Sequence, residues 1–249
     1  MEQSNIKTGF TELDEKIDGF EKSDLICIAS SPIEEKRNLA FNLICNITKQ
    51  QIPILIFSLE NNKDTISERI LNTIFAINKI DDNEVYSQER HNEDMRYAIL
   101  AEENTYIYDN ILDISGIEQT SQRVKSQKNI GLIIIDYFQL VKCDETFEAV
   151  TIRLKLLAKE LNVPIIILSQ LSNELESRED KRPTLSDFQG SSSIVNYADT
   201  ILFVYKDDYY NMDSEKKGLV DITVAKSKTG NTGIIDLLDI RTRYVNLQR

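Results

Sequence analysis

Two uninterrupted apolar runs, LIIID at 132–136 and PIIIL at 164–168, constrain this chain more than any other feature. A strand with one wet face alternates apolar and polar residues; these runs do not, so both of their faces need cover. Similar runs alternate with helical spacing along most of the chain. Strands are expected at Asp24–Ser30, Pro53–Ser58, Thr105–Tyr108, Gly131–Asp136, Pro164–Ser169 and Asp199–Tyr205. Helices are expected near Glu35–Gln50, Lys63–Asn78, Asn92–Glu103, Ser115–Lys128 and Glu145–Leu161. Repeated strand–helix–strand units with doubly apolar strands specify an α/β fold, a mainly parallel twisted sheet flanked by helices. The last two expected strands, Leu219–Lys226 and Gly233–Ile240, flank the turn-type sequence SKTGN and are read as an antiparallel hairpin.

The chain of 249 residues shows no internal repeat and no low-complexity linker, so one domain spanning 1–249 is expected. Its longest connection, Leu171–Gly190, is rich in charge, and such loops in a compact domain usually carry function or move. A formal net charge of −12 repels nucleic acid, so any DNA contact must come from local basic patches, and a basic protein partner suits the bulk charge better. Apolar runs are too short and too interrupted to span a bilayer, and no secretory leader is read at the start. Cys27, Cys45 and Cys143 have no paired spacing, which suggests a reducing, cytoplasmic setting without a metal–thiolate site. His91 sits in the polar stretch QERHNED and is read as a surface residue.

In open α/β sheets ligands bind beyond the carboxyl ends of the strands. Four polar residues fall there: Lys36 after the first strand, Glu60 after IFSL, Asp136 ending LIIID and Gln170 ending IILSQ. Each suits one part of phosphoryl chemistry. A lysine neutralises β and γ phosphates, and a strand-end aspartate holds magnesium through water. A neighbouring glutamate orients the attacking water, and a glutamine senses the γ-phosphate. The stretch ASSPIEEKRNLA at 29–40 lies where a phosphate loop G-x-x-x-x-G-K-[ST] belongs, but its diagnostic places hold Ser30, Glu35, Lys36 and Arg37.

Seven segments then follow one another in a single order: TGFTELDEKIDGF, ILIFSLEN, GLIIIDYFQL, LAKELNVPIIILSQL, DKRPTLSDFQGSSSI, ADTILFVYKDD and AKSKTGNTG. Through them the chain resembles the RecA-like motor domain of the DnaB family of replicative helicases, from about residue 6 to 247. The resemblance implies a RecA-like P-loop NTPase core, ATP and Mg as cofactors, and a role in DNA replication. It implies Glu60, Asp136 and Gln170 as catalytic residues, with Asp136 on the metal, and Ser30, Lys36 and Arg37 at the nucleotide. Lys226 and Lys228 would be cations acting in trans on a neighbouring subunit's phosphate. Arg178, Lys181, Arg182, Gln189, Gly190 and Ser191 would form the loop that meets single-stranded DNA. The family's N-terminal domain and linker helix are expected to be absent, which leaves homo-oligomer formation open.

The departures decide how much chemistry to expect. Glu35 replaces the glycine that lets backbone amides wrap a phosphate, and its charge should repel one. Arg37 removes the metal-binding hydroxyl, although its guanidinium could neutralise Glu35 or stand in for the metal. Where the family carries Arg-Glu-Ser-Gly, this chain reads Gln189-Gly190-Ser191-Ser192, losing a phosphate contact. Three readings stay open. One is a pseudo-ATPase acting by contact with a replicative helicase or other replisome protein, as loader, cap or inhibitor. Another is an active ATPase or helicase with an unorthodox loop, and the third is a nucleotide sensor that does not hydrolyse.

Overall fold

A computed structural model describes residues 5–76, 88–188, 190 and 192–247. Among the described residues nine strands form one sheet: β1 (Leu25–Ser30), β2 (Ile54–Ser58), β3 (Thr105–Tyr108), β4 (Leu132–Asp136), β5 (Ile165–Gln170), β6 (Thr200–Tyr205), β7 (Leu219–Lys226), β8 (Gly233–Ile240) and β9 (Arg243–Asn246). Their spatial order is β3-β2-β4-β5-β1-β6-β7-β8-β9. Pairing is parallel from β3 through β6 and antiparallel from β6 to β9. The expected class and the terminal hairpin are thus present.

The continuous apolar runs do what their composition requires. Along β4, Leu132 and Ile134 belong to one core, while Ile133 and Ile135 belong to the other. β1 divides in the same way, Ile26 and Ile28 against Cys27 and Ala29. One layer is built by α1 (Thr11–Ile17), α2 (Ile33–Thr48), α3 (Lys63–Phe75) and α4 (Gln88–Asn104). The opposite layer is built by α5 (Ile114–Lys128) and α6 (Phe147–Leu161). Local chemistry sets several helix ends. Asn62, Asp113 and Thr146 accept hydrogen bonds from the first-turn amides of α3, α5 and α6, while Asn129 and Asn162 close α5 and α6 in the left-handed conformation.

Three differences from expectation matter. α1 was not anticipated, yet Phe10, Leu13, Ile17 and Phe20 are buried at helical spacing. β9 follows a tight turn at Arg241 and Thr242, both at positive φ, which sequence patterning does not mark. α2 begins at Ile33 and not at Glu35, so only Ser31 and Pro32 connect it to β1. The end of the helix expected at Lys63–Asn78 lies outside the described residues, as does the side chain of His91. Among the described residues no helix is long and apolar enough to cross a membrane.

Candidate functional site

β1 is flanked by β5 and β6, and the chain leaves β1 through α2 to reach β2 on the far side of β5 and β4. Such a reversal opens a crevice at the strand ends. Register places Ser30 beside Gln170, and Ser58 beside Asp136. Leu59 N–H donates to the Asp136 carbonyl at 2.7 Å, which carries Glu60 toward the end of β4.

The short connection after β1 is closed by its own atoms. The Ser30 hydroxyl donates to the Pro32 carbonyl at 2.7 Å and accepts the Lys36 backbone N–H at 3.0 Å. The Glu35 N–H donates to the Pro32 carbonyl at 3.4 Å. Two amides that would face outward in a phosphate cradle, those of Glu35 and Lys36, are therefore engaged within the helix start. From outside, the Tyr210 hydroxyl meets the Ser31 carbonyl at 3.0 Å and the Glu176 carboxylate at 2.8 Å, and the Ser31 hydroxyl also donates to Glu176. Burial, then the Glu176 bond, raise the Tyr210 phenol above its ordinary range.

Arg37 occupies the centre of the crevice. Its side chain is 4% exposed, and its Nε donates to both carboxylate oxygens of Asp136, at 3.1 and 3.0 Å. One terminal nitrogen donates to Glu60, and the other lies 3.4 Å from Glu34. Glu34 in turn receives Arg69 at 2.7 Å. Arg37 thus joins both expected catalytic carboxylates in one ion-pair cluster.

Lys36 is fully buried, and among the described residues its Nζ has no hydrogen-bond partner. It lies 4.9 Å from the Tyr137 ring centroid, a cation–π contact. Burial pulls its pKa down to about 8, against the opposing pull of Asp136. The Glu35 carboxylate is not held by Arg37. Its Oε2 accepts the Tyr244 hydroxyl from β9 at 2.7 Å. Gln170 ends β5, where its backbone exchanges hydrogen bonds with the Gln139 amide, N–H to Oε1 at 3.1 Å and Nε2 to carbonyl at 3.1 Å.

The basic residues of the long connection turn inward. Arg178 donates to Asp187 at 3.0 Å and to the Arg182 carbonyl at 2.7 Å. Lys181 bonds the Glu176 and Arg178 carbonyls at 2.6 and 3.0 Å. Arg182 pairs with Asp221 and stacks 4.5 Å from the Tyr205 ring centroid. Gly190 is described, at positive φ, whereas Gln189 and Ser191 lie outside the described residues. Lys226 ends β7 and Lys228 lies in the following turn, so the two lysines do not share a strand face. Lys226 donates to the Val195 carbonyl at 2.8 Å, while Lys228 pairs with Glu21 at 3.1 Å and with Asp24.

The structure therefore gathers Ser30, Lys36, Arg37, Glu60 and Asp136 in one crevice with Gln170 at its edge, and places Lys226 and Lys228 elsewhere. Sequence reasoning missed Tyr137, Gln139, Tyr210 and Tyr244 as parts of this site. Tyr137 and Gln139 adjoin the strand-end aspartate and were visible in DYFQL; Tyr210 and Tyr244 are distant in sequence and carried no local signal.

This fold is that of a RecA-like P-loop NTPase core. The chain belongs to the DnaB-like helicase C-terminal domain family, whose sequence profile matches residues 5–246. It is 37% identical over 262 aligned positions to the replicative DNA helicase DnaB of Geobacillus stearothermophilus, covering 100% of this chain and 58% of the relative. It is 35% identical to the replicative DNA helicase DnaC of Bacillus subtilis, covering 99% and 57%. The chain thus spans a little over half the length of these relatives. Among solved structures it is similar to an ATPase domain with TM-score 0.85, 29% identity, and coverage of 99% of this chain and 94% of the other. A DnaB-like replicative helicase studied with its primase interactions gives TM-score 0.86 and 30% identity, covering 98% and 64%.

Proposed function

We propose that this DnaB-type motor domain does not turn over ATP and acts in DNA replication by contact with a replicative helicase or another replisome protein. The observation that carries this reading is the closed start of α2. Its Glu35 and Lys36 amides are bonded to Pro32 and Ser30, and only two residues, Ser31 and Pro32, separate it from β1. A phosphate cradle needs those amides pointing at the ligand. ATP and Mg are the family's cofactors, and the residues present do not fit the metal. Asp136 and Glu60 already hold a guanidinium, and Arg37 stands where a hydroxyl ligand would be needed.

Loss of turnover leaves the surface as the useful part of the molecule. The net charge of −12 and the inward-turned Arg178, Lys181 and Arg182 argue against a DNA groove and for a protein partner. A second reading, a sensor that binds nucleotide without hydrolysis, rests on the unpartnered ammonium of Lys36.

Calorimetric titration with ATP and magnesium, with Lys36→Ala as control, separates these readings. No heat at millimolar nucleotide is expected for the natural chain. Binding that Lys36→Ala abolishes, without phosphate release on single-stranded DNA, would replace the first reading with the sensor. Binding with release would restore the enzyme. A Glu35→Gly/Arg37→Thr variant is expected to gain nucleotide affinity, because it reopens the cradle and frees both carboxylates.

A further inference from the structure

We infer that Arg37 is a resident cation that holds the strand-end carboxylates together, in place of any divalent ion that would otherwise have to neutralise them, so that removing it makes the fold respond to magnesium. The inference rests on the proposed loss of turnover only in that the site needs no nucleotide-bound metal.

The geometry carries it. The guanidinium joins three elements at once: the end of β4 through Asp136, the segment after β2 through Glu60, and the first turn of α2 through Glu34. Its planar fork offers donors in several directions, and a lysine at this place would offer a compact point charge. Local charge closes as well. Glu34, Glu60 and Asp136 are met by Arg37, Arg69 and the buried Lys36, three carboxylates against three cations. A dication added to that set would leave excess positive charge in a crevice where Lys36 is already fully buried.

Spacing agrees with charge. Magnesium draws its oxygen ligands to about 2.0–2.1 Å, whereas a guanidinium spreads carboxylates around a wide fork. Among the described residues no three acidic, histidine or cysteine side chains lie close enough to hold a metal. Removing Arg37 would leave the Asp136 carboxylate, whose side chain is 5% exposed, without the donor that now bonds both its oxygens. Glu60, at 43% exposure, keeps the crevice open to hydrated ions. A divalent ion then becomes the available compensation. The functional consequence is a surface whose shape does not follow magnesium or nucleotide levels, so a partner meets one constant state.

The test is a melting-temperature series without nucleotide on the natural chain and Arg37→Met, in EDTA, in millimolar magnesium chloride, and in potassium chloride of matched ionic strength. The natural chain is expected to melt at one temperature in all three. Arg37→Met is expected to melt on the order of 10 °C lower in EDTA, and to recover in magnesium but not in potassium. A natural chain stabilised by magnesium beyond the potassium control, or an Arg37→Met indifferent to magnesium, would overturn the inference. If Arg37→Met does not fold, Arg37→Met/Glu60→Gln/Asp136→Asn decides. Recovery of a fold indifferent to magnesium is expected, and continued failure would assign Arg37 to packing alone and sink the idea. Because nucleotide is left out, the melting series reads this inference and a separate ATP-turnover assay reads the proposed pseudo-ATPase, so a failure of either is told apart from a failure of the other.

Discussion

The Tyr244 hydroxyl, on the last strand of the sheet, donates to the Glu35 carboxylate in the first turn of α2 at 2.7 Å. The tyrosine is 1% exposed and the glutamate 8%. The pair ties β9 to the helix that follows the first strand, and it gives a buried carboxylate a donor. Burial and the adjacent carboxylate hold the Tyr244 phenol well above its ordinary pKa. The charge expected from the sequence to repel phosphate is thereby made part of the core's polar framework.

Tyr244→Phe should lower stability by about 1–3 kcal/mol, since it leaves the Glu35 carboxylate without this donor at little change in shape. Glu35→Gln keeps an acceptor and should cost less. Urea denaturation of both variants checks the order. Equal stability of Tyr244→Phe and the natural chain would show that water satisfies Glu35.

Lys36 predicts a pH dependence of definite sign. Its folded pKa, about 8, lies below the ordinary 10.5, so between these values the unfolded chain binds the extra proton. Stability contributed by this group therefore rises as pH climbs from about 8 to 10.5, on the order of 3 kcal/mol if the whole shift is expressed. Cys27, Cys45 and Tyr244 have raised values and pull the other way at high pH, so the natural chain alone is a poor reporter. The difference between the natural chain and Lys36→Met, by urea titration across that window, isolates the lysine. A flat difference would mean that Lys36 keeps its proton.

Lys228→Ala should destabilise the isolated chain, because Lys228 pairs with Asp24, a carboxylate only 4% exposed on its side chain. Burial, the largest influence, already raises the Asp24 pKa, and losing the lysine raises it further. The folded variant then binds a proton more readily than the unfolded chain, so its stability improves as pH falls. The cost should be about 1–3 kcal/mol near pH 7 and smaller near pH 4. A lysine that served only a neighbouring subunit would show no cost in the monomer.

Arg182→Gln separates a structural role from a DNA role. Its partner Asp221 is 1% exposed and keeps Lys216 at 2.9 Å, so the loss should be moderate, about 1–2 kcal/mol. Binding of labelled oligothymidine, followed by anisotropy, should be weak and unchanged. A clear drop in that binding with stability intact would return Arg182 to the DNA surface.

Much of the fold was legible because its causes are local or periodic. Doubly apolar runs such as LIIID, short and rich in β-branched residues, suit strands with both faces covered, and SKTGN suits a chain reversal. The motor-domain segments were legible as well, down to Glu60 and Asp136 at their strand ends. α1 could have been found, since Phe10, Leu13 and Ile17 keep helical spacing over a short segment. β9 could not, because its four residues gain their pairing only from β8.

Read along the chain alone, the residues already specify the layered α/β architecture, the strand-end position of the candidate site, and the missing glycine and hydroxyl at positions 35 and 37. Those follow from side-chain periodicity and residue identity, which act over a few neighbouring residues. What Glu35 and Arg37 do instead is set by long-range packing. Glu35 finds Tyr244 from 209 residues away, and Arg37 finds Asp136 from 99 residues away. A buried charge takes whichever partner the assembled sheet brings within hydrogen-bond reach. That choice is made by strand order and register, which no short stretch of the chain contains.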